Sequence, residues 1–299
     1  MNYSIQHIDL INKNRIDAAI INANDDLSIM SAKIAEELNI INPILIGNKE
    51  IILSLASSIN WKVREDRVVH SKSEVESSQI ACDLASSGKI KVLVKGHMHT
   101  DVLMGEYIKS IYSLRIKGER LSHIWFMSFD NDRKPIIISD GALNIKPNLQ
   151  TKKSILINVL NFVKKIKTFE PHISILSATE EILPQMESST EAKELMDWAK
   201  LNISGDLKIY GPLAFDNSIS IEAANIKGVK NNVAGNANII LVPNIETGNA
   251  LVKIMVNFMD AVAGGFITGG KVPVVISSRS DNVDSRLSSL SNAILSLRD

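Results

Sequence analysis

The sequence predicts an α/β protein in which parallel sheets carry helices on their faces. Three observations point there. Short β-branched runs alternate along the chain with longer segments of helical periodicity, the pattern of βαβ units. The 299 residues, at roughly 150 per domain, leave room for about two such domains. Apolar residues make up 45% and charged residues 22%, a balance that lets a chain bury a real core.

Taken in order, Ala18-Ala19-Ile20-Ile21 reads as a buried strand. Residues 26–38 read as a helix, with Ile29, Ala32, Ile34, Ala35 and Leu38 near helical spacing. Pro43 to Gly47 gives a second strand and its stop, residues 73–85 a helix, and Val92 to Gly96 a strand. A helix over 100–113 follows, then strands at 124–127 and 135–138. The helix at 152–165 opens a second alternating series, with strands at 173–176 and 239–242 and helices at 189–201 and 247–263. The pairs Gly264-Gly265 and Gly269-Gly270 mark a crossing between domains. A last strand, 273–276, runs into a helix over about 283–297 that packs back on the first domain.

Composition excludes several classes. Lys plus Arg and Asp plus Glu both number 33, so the excess of cations that a nucleic-acid protein carries is missing. One cysteine cannot close an intrachain disulfide, which excludes a stapled secreted scaffold. No run of about 18 apolar residues spans a membrane. Residues 1–15 mix Asn, Gln, His, Asp and Lys with their apolar residues, unlike a signal peptide. The expected location is the cytoplasm, with no nucleic-acid or membrane partner.

Several local patterns carry chemistry. The string from Gly265 to Val272 nearly spells a P-loop, but Val272 stands where a magnesium-binding hydroxyl belongs. Its context is also reversed, helix before and strand after. No G-x-G-x-x-G follows a strand, so a dinucleotide site has no support. His97-Met98-His99 at a strand end, with Asp101 close by, can chelate a divalent metal. The other histidines, His7, His70, His123 and His172, show no ligand spacing, and a polar wall leading into a helix capped near Thr100 or Asp101 accounts for the segment as well. Cys82 sits at a core position without a partner residue, and His123 opens a strand. At the C-terminus a buried strand runs into Ser277-Ser278-Arg279-Ser280-Asp281-Asn282 and then a helix. Free amides at that helix start attract an anion. Arg279 adds a guanidinium fork suited to phosphate, and Asp281 and Asp284 can cap the helix or act as bases.

Together these and other segments resemble one family, the phosphate acetyl/butyryltransferases. Lys95 to Asp101 is similar to its Gly-x-x-x-Thr-Ala-Asp segment with the alanine absent. Leu121-Ser122-His123-Ile124 resembles its Leu-Ser-His-Val strand start, and Ser139 to Asn144 its Asp-centred segment. Gly211 to Asp216 resembles Gly-x-Leu-x-x-Asp. Val233 to Asn238 and Pro243 to Asn249 look like its two most recognisable motifs, and Ser278-Arg279 falls at its Ser-Arg pair. The length is nearer the butyryl-type members. The resemblance implies two three-layer α/β/α domains of isocitrate/isopropylmalate dehydrogenase-like type with an interdomain cleft. The first domain is then discontinuous, residues 1–149 plus 267–299, and the second is 150–266. A homodimer is common in the family.

The reaction so implied is reversible transfer of a short-chain acyl group, acetyl to butyryl, between CoA and inorganic phosphate. Acyl-CoA, phosphate and acyl phosphate are the substrates and partners, with no metal and no resident cofactor. The chemistry needs a base for the CoA thiol, a donor for the carbonyl oxyanion and cations for phosphate. Arg279 is assigned to phosphate and carbonyl, and Ser278 to a hydrogen bond near the thiol or leaving group. In acetyl-type members a carboxylate follows the serine by seven residues. Here that count reaches Ser285, which leaves Asp281 and Asp284 as alternative bases. Thr100, Asp101, His123, Asp140, Asn144, Thr247 and Asn249 are the expected substrate-binding residues. First-domain arginines hold phosphate in the family, and Arg115 and Arg120 lie near the matched segments. Two rival readings are a metal-dependent hydrolase built on His97 and His99 and a non-catalytic CoA- or metabolite-binding relative. A decarboxylating dehydrogenase requires a cluster of metal-binding aspartates that the sequence does not offer.

Overall fold

The computed structural model describes residues 15–130, 133–167, 169–276 and 281–297. The chain divides into two compact units, one of residues 1–119 and 264–299, the other of residues 120–263. Residues 120–149, grouped with the first domain on sequence, hold two strands that pair within the second unit.

The first unit is a parallel sheet. Its strands are β1 (Ile16–Ile21), β2 (Ile41–Gly47), β3 (Val68–His70), β4 (Val92–Lys95), β10 (Val262–Thr268) and β11 (Val274–Val275). They lie in the order β3-β2-β1-β4-β11-β10. All neighbours run parallel except β10 and β11, which are antiparallel with Phe266 opposite Val275. Strands covered on both faces need apolar residues on both, and Ala18, Ala19, Ile21, Leu45, Ile46, Leu93 and Val274 are fully buried. The helices are α1 (Asp26–Glu37), α2 (Lys49–Ser58), α3 (Glu74–Ser86), α4 (Thr100–Tyr107) and α10 (Val283–Leu295). Asp25, Asn48 and Ser73 cap the first three by accepting backbone N–H bonds.

Two expectations here change. The helix foreseen over 100–113 ends at Tyr107, and a short 3-10 turn and left-handed Ser113 follow. Residues 264–268, read as part of a glycine connection, instead belong to β10, which also takes Val262 and Ala263 from the expected end of the 247–263 helix. Gly264 is in that strand because α10 lies against it. A Cβ there would come 2.3 Å from Asn292 Nδ2 and 2.5 Å from Ser288 Oγ. Gly265 N donates to Ser289 Oγ at 2.8 Å, so a polar Ser-Asn face joins this helix to its strand.

The second unit holds β5 (Ser122–Ser128), β6 (Ile136–Ser139), β7 (His172–Leu176), β8 (Lys208–Leu213) and β9 (Ile239–Leu241), in the order β5-β6-β9-β7-β8. Only β5 runs antiparallel to its neighbour. Long helices α5 (Leu149–Ile166) and α6 (Glu187–Asn202) are joined by short α7 (Phe215–Ile219) and α8 (Ile221–Ile226), and by α9 (Ile245–Phe258). Trp125, Met127, Ile138 and Ile240 pack under Val252 and Met255 of α9. Ile175 and Leu241 meet Ile155 of α5 and Leu195 of α6 instead. Strand alternation thus serves helices on both faces, a three-layer arrangement. α9 is shorter than the 247–263 expected: Met259 caps it, and Asp260 turns at φ 51° into β10.

Candidate active site

Parallel order gathers Ser139–Asn144 and Pro243–Asn249 of the second unit at one sheet edge, whereas Val233–Asn238 leads into the opposite end of β9, where Asn238 N donates to His172 O at 3.0 Å. Ser139 at the end of β6 lies beside Leu241 at the end of β9, so the loops that follow both emerge together. The antiparallel β5 brings its beginning to the same edge. Trp125 stands opposite Ile138, and the register continues to His123 beside Asp140. Open α/β sheets bind ligands at such carboxyl ends.

Asp140 is buried, and its carboxylate accepts four hydrogen bonds. Oδ2 takes the His123 N–H at 3.0 Å and Asn144 Nδ2 at 2.6 Å; Oδ1 takes the N–H groups of Ala142 and Leu143, both at 3.0 Å. Asn144 Nδ2 also donates to Leu121 O at 3.0 Å, and Ser139 Oγ to His123 O at 2.8 Å. The carboxylate therefore folds a turn of backbone around itself. Both of its oxygens are engaged within the protein.

The start of α9 docks on that turn. Asn244 Oδ1 accepts from Thr247 N at 3.0 Å and from Thr247 Oγ1 at 2.7 Å, while Ile245 N donates to Ile145 O at 2.9 Å. Gly141 and Gly248 touch backbone to backbone. A Cβ on Gly248 would lie 2.6 Å from Gly141 Cα, and one on Gly141 2.9 Å from Gly248 C. Neither position admits a side chain. Thr247 and exposed Asn249 flank this contact on α9. Nearby, Lys152 of α5 and Glu191 of α6 form a largely buried ion pair, and Lys152 lines a small apolar void with Ser139 and Pro243.

His123 is fully buried, with neither ring nitrogen hydrogen bonded. Its ring centroid is 4.5 Å from that of Trp125, whose Nε1 is also buried without a partner. Burial drives the imidazole pKa down to about 4, against a smaller upward pull from Asp140. The ring is a neutral group at physiological pH.

The first unit has its own carboxyl edge. Gly96 N donates to Ile21 O at 2.8 Å and His97 N to Asn22 O at 3.2 Å. A Cβ on Gly96 would come 2.6 Å from Ile21 O, so the exits of β1 and β4 meet through a glycine. Buried Lys95 folds under this turn, donating to Met98 O at 3.0 Å. Thr100 and exposed Asp101 open α4 directly after it, with His99 as the capping position. His99 pairs with Glu74 (Nδ1–Oε2, 3.3 Å), whereas His97 gives its carbonyl to Asn22. Among the described residues no three His, Cys, Asp or Glu side chains gather as metal ligands. Cys82 is buried, and desolvation, helped by the Glu106 and Asp83 charges, pushes its thiol pKa up to about 12.

Ser278 and Arg279 lie outside the described residues. The helix that follows them is capped by Asn282, whose Oδ1 accepts from Ser285 N at 2.9 Å. Asp284 is exposed in its first turn, and Asp281 precedes the cap. Ser285 is buried. Arg115 and Arg120 are both exposed; Arg120 belongs to the second unit, where its carbonyl accepts from Asn158 Nδ2 at 2.8 Å. Sequence reasoning did not anticipate the Gly141–Gly248 contact, Lys95 or the Lys152–Glu191 pair. The two glycines sit inside the matched motifs and were the available signal for the first.

A family model described as phosphate acetyl/butaryl transferase matches residues 9–291. The chain is 34% identical over 273 residues to a phosphate acetyltransferase of Rickettsia felis, spanning 91% of this chain and 78% of that one. It is 31% identical over 280 residues to a phosphate butyryltransferase of Clostridium acetobutylicum, spanning 93% and 92%. Among solved structures it resembles a branched-chain phosphotransacylase from Enterococcus faecalis V583, with TM-score 0.80, 31% identity, and coverage of 95% and 100%. A 4-hydroxythreonine-4-phosphate dehydrogenase from Burkholderia phymatum shares the fold at TM-score 0.55 and 11% identity, covering 96% and 100%.

Proposed function

Because the chain belongs to the phosphate acetyl/butyryltransferase family, we propose that it moves a short acyl group, acetyl to butyryl, between CoA and inorganic phosphate. One observation carries the reading at the level of the site. Ser139–Asn144 and Pro243–Asn249, far apart in sequence, meet backbone to backbone at one sheet edge. The metal-hydrolase alternative draws no support, since His99 is engaged with Glu74 and no ligand cluster forms among the described residues.

In the direction of acyl phosphate, a phosphate oxygen attacks the thioester carbonyl, the C–S bond breaks, and CoA leaves as a thiol after protonation. In reverse, a base takes the thiol proton, the thiolate attacks the acyl carbonyl, and the C–O bond to phosphate breaks. Arg279 is our choice for the phosphate and the carbonyl oxyanion, and Ser278 for the hydrogen bond to the sulfur or leaving oxygen. Of the two carboxylates, Asp284 is the better base. It is exposed on the first turn of α10, while Asp281 lies close enough to Arg286 to act on its charge. Asp140, with both oxygens engaged, serves as the organiser of the loop, which leaves Thr100, Asp101, Asn144, Thr247 and Asn249 as the groups for substrate. His123 packs beneath as a neutral ring.

We also propose a homodimer in the cytoplasm. The α8–α9 layer supports the first part. Ile254 and Phe258 share a face of α9 at 50% and 84% exposure, and Ile221 and Ile226 of α8 are exposed beside the same core.

The test is free-thiol release from acetyl-, propionyl- and butyryl-CoA in the presence of phosphate and excess chelator. Release that depends on phosphate and survives the chelator is the expected result. Arg279→Ala should cut it by about 10²–10³-fold while circular dichroism stays unchanged. Unchanged turnover in that variant removes Arg279 from the mechanism.

A further inference from the structure

Thr100 and Asp101 open α4, and the turn from Gly96 to His99 carries the chain to them from β4. Each backbone polar group of such a turn must find a partner or water. Here the protein supplies every partner up to the His99 N–H. Gly96 N and His97 N donate to the carbonyls of Ile21 and Asn22, and Met98 N donates to Gly96 O at 3.0 Å. Lys95 Nζ donates to Gly96 O at 3.3 Å and to Met98 O at 3.0 Å, and Asn22 Nδ2 donates to His97 O. The His99 N–H, at the last residue before the helix, goes to Oε2 of Glu74 at 3.0 Å. The same oxygen lies 3.3 Å from His99 Nδ1. Glu74 thus engages both the backbone and the ring of the residue that precedes α4.

Glu74 comes from another helix, and α3 is capped without it. Ser73 Oγ accepts from Glu76 N at 3.2 Å, and Glu76 Oε2 accepts from Lys72 N at 2.7 Å. α4 has no such cap of its own. His99 makes no side-chain cap bond, and Val102, at the third helical position, cannot supply the glutamate of a capping box. Glu74 takes that glutamate's part from outside, accepting the N–H of the capping residue through a charge-assisted bond. Ser, Thr, Asp or Asn at position 99 would cap α4 locally without tying it to anything. Glu74 instead fixes the start of α4 against α3, the helix packed beside it.

We propose that Glu74 is a positioning residue for acyl transfer: by holding His99, it sets where Thr100 and Asp101 stand for substrate. This rests on the acyltransferase reading above, in which those two residues meet substrate. The role calls on the reach of the side chain more than on its charge, because the bond is made to a backbone N–H.

Glu74→Ala is the primary test. The expected result is a loss of about tenfold in kcat/KM, what one hydrogen bond to a charged group is worth. Its division among kcat, KM for phosphate and KM for acyl-CoA should copy that of Thr100→Ala. Glu74→Ala should cost nothing more in the Thr100→Ala background. Glu74→Gln, equal in length and uncharged, should recover most of the loss, whereas Glu74→Asp, charged but a methylene short, should not. Amide hydrogen exchange at residues 99–102 should accelerate in Glu74→Ala and stay at its wild-type rate over residues 78–86. Wild-type kinetics in a folded Glu74→Ala protein overturn the proposal, and so do losses that add in the double variant or a Glu74→Asp enzyme better than Glu74→Gln. If Thr100→Ala has wild-type kinetics, Asp101→Ala takes its place in these comparisons; if both do, the proposal falls. If the wild-type enzyme releases no thiol with phosphate, the acyltransferase reading fails by itself. The exchange measurement then decides the anchor, and unchanged exchange in Glu74→Ala overturns it.

Discussion

His123 lends its backbone to the site and keeps its ring dry. Its N–H and carbonyl are bound to Asp140 and Ser139, while its imidazole sits unpartnered against Trp125. That burial has a pH signature. The folded pKa is about 4, against an ordinary value of 6.5. Between those values the unfolded chain takes up a proton that the fold refuses. Stability is therefore full above pH 6.5 and falls as pH drops towards 4, by about 3 kcal/mol at most. Denaturant titrations at a series of pH values should show this slope in the wild type and lose it in His123→Gln. An unchanged slope would assign acid lability to another group. The sequence marked His123 by its place at a strand start. It gave no sign of the ring's burial, against Trp125 two residues on.

The Gly141–Gly248 contact belongs to the element scale, since it sets how closely α9 approaches the β6 loop. A methyl on Gly248 would meet Gly141 Cα at 2.6 Å and Val242 Cγ2 at 2.9 Å. Gly248→Ala should cost about 1–3 kcal/mol, read as a lowered Tm, and should raise KM by moving Thr247 and Asn249. A variant with wild-type Tm and KM would show that the loop gives way freely. Much of this site was legible beforehand, because Ser139–Asn144 and Pro243–Asn249 carry a resemblance that needs no knowledge of packing. Strand β10 was not. Gly264 and Gly265 read as punctuation, and only the proximity of Ser288, Ser289 and Asn292 explains why a strand should contain them. The same error lengthened α9, since Val262 and Ala263 fit a helical pattern as readily as a strand.

At the scale of the whole molecule, α8 and α9 leave Ile226, Ile254 and Phe258 in solvent. If they form the dimer surface, Ile254→Lys with Phe258→Glu should halve the mass found by sedimentation equilibrium without altering the circular dichroism. A wild-type protein that sediments as a monomer ends the proposal. Alternating strands and helices announced both units in the sequence; the point of passage fell at the first glycine pair, Ala263 to Gly264. The entry point at residue 120 had no such marker, because β5 and β6 read equally well as the end of one series or the start of the next. This nested order bears on how the chain is made. Residues 120–263 are contiguous, so the inner unit has all its strands once residue 263 leaves the ribosome. The outer unit begins first but must wait for β11, which lies between β4 and β10 in its sheet. Until then β4 offers an unpaired edge, a template for association between nascent chains. The part translated first is thus the last to be completed, and it is the part that a folding helper would most need to shield.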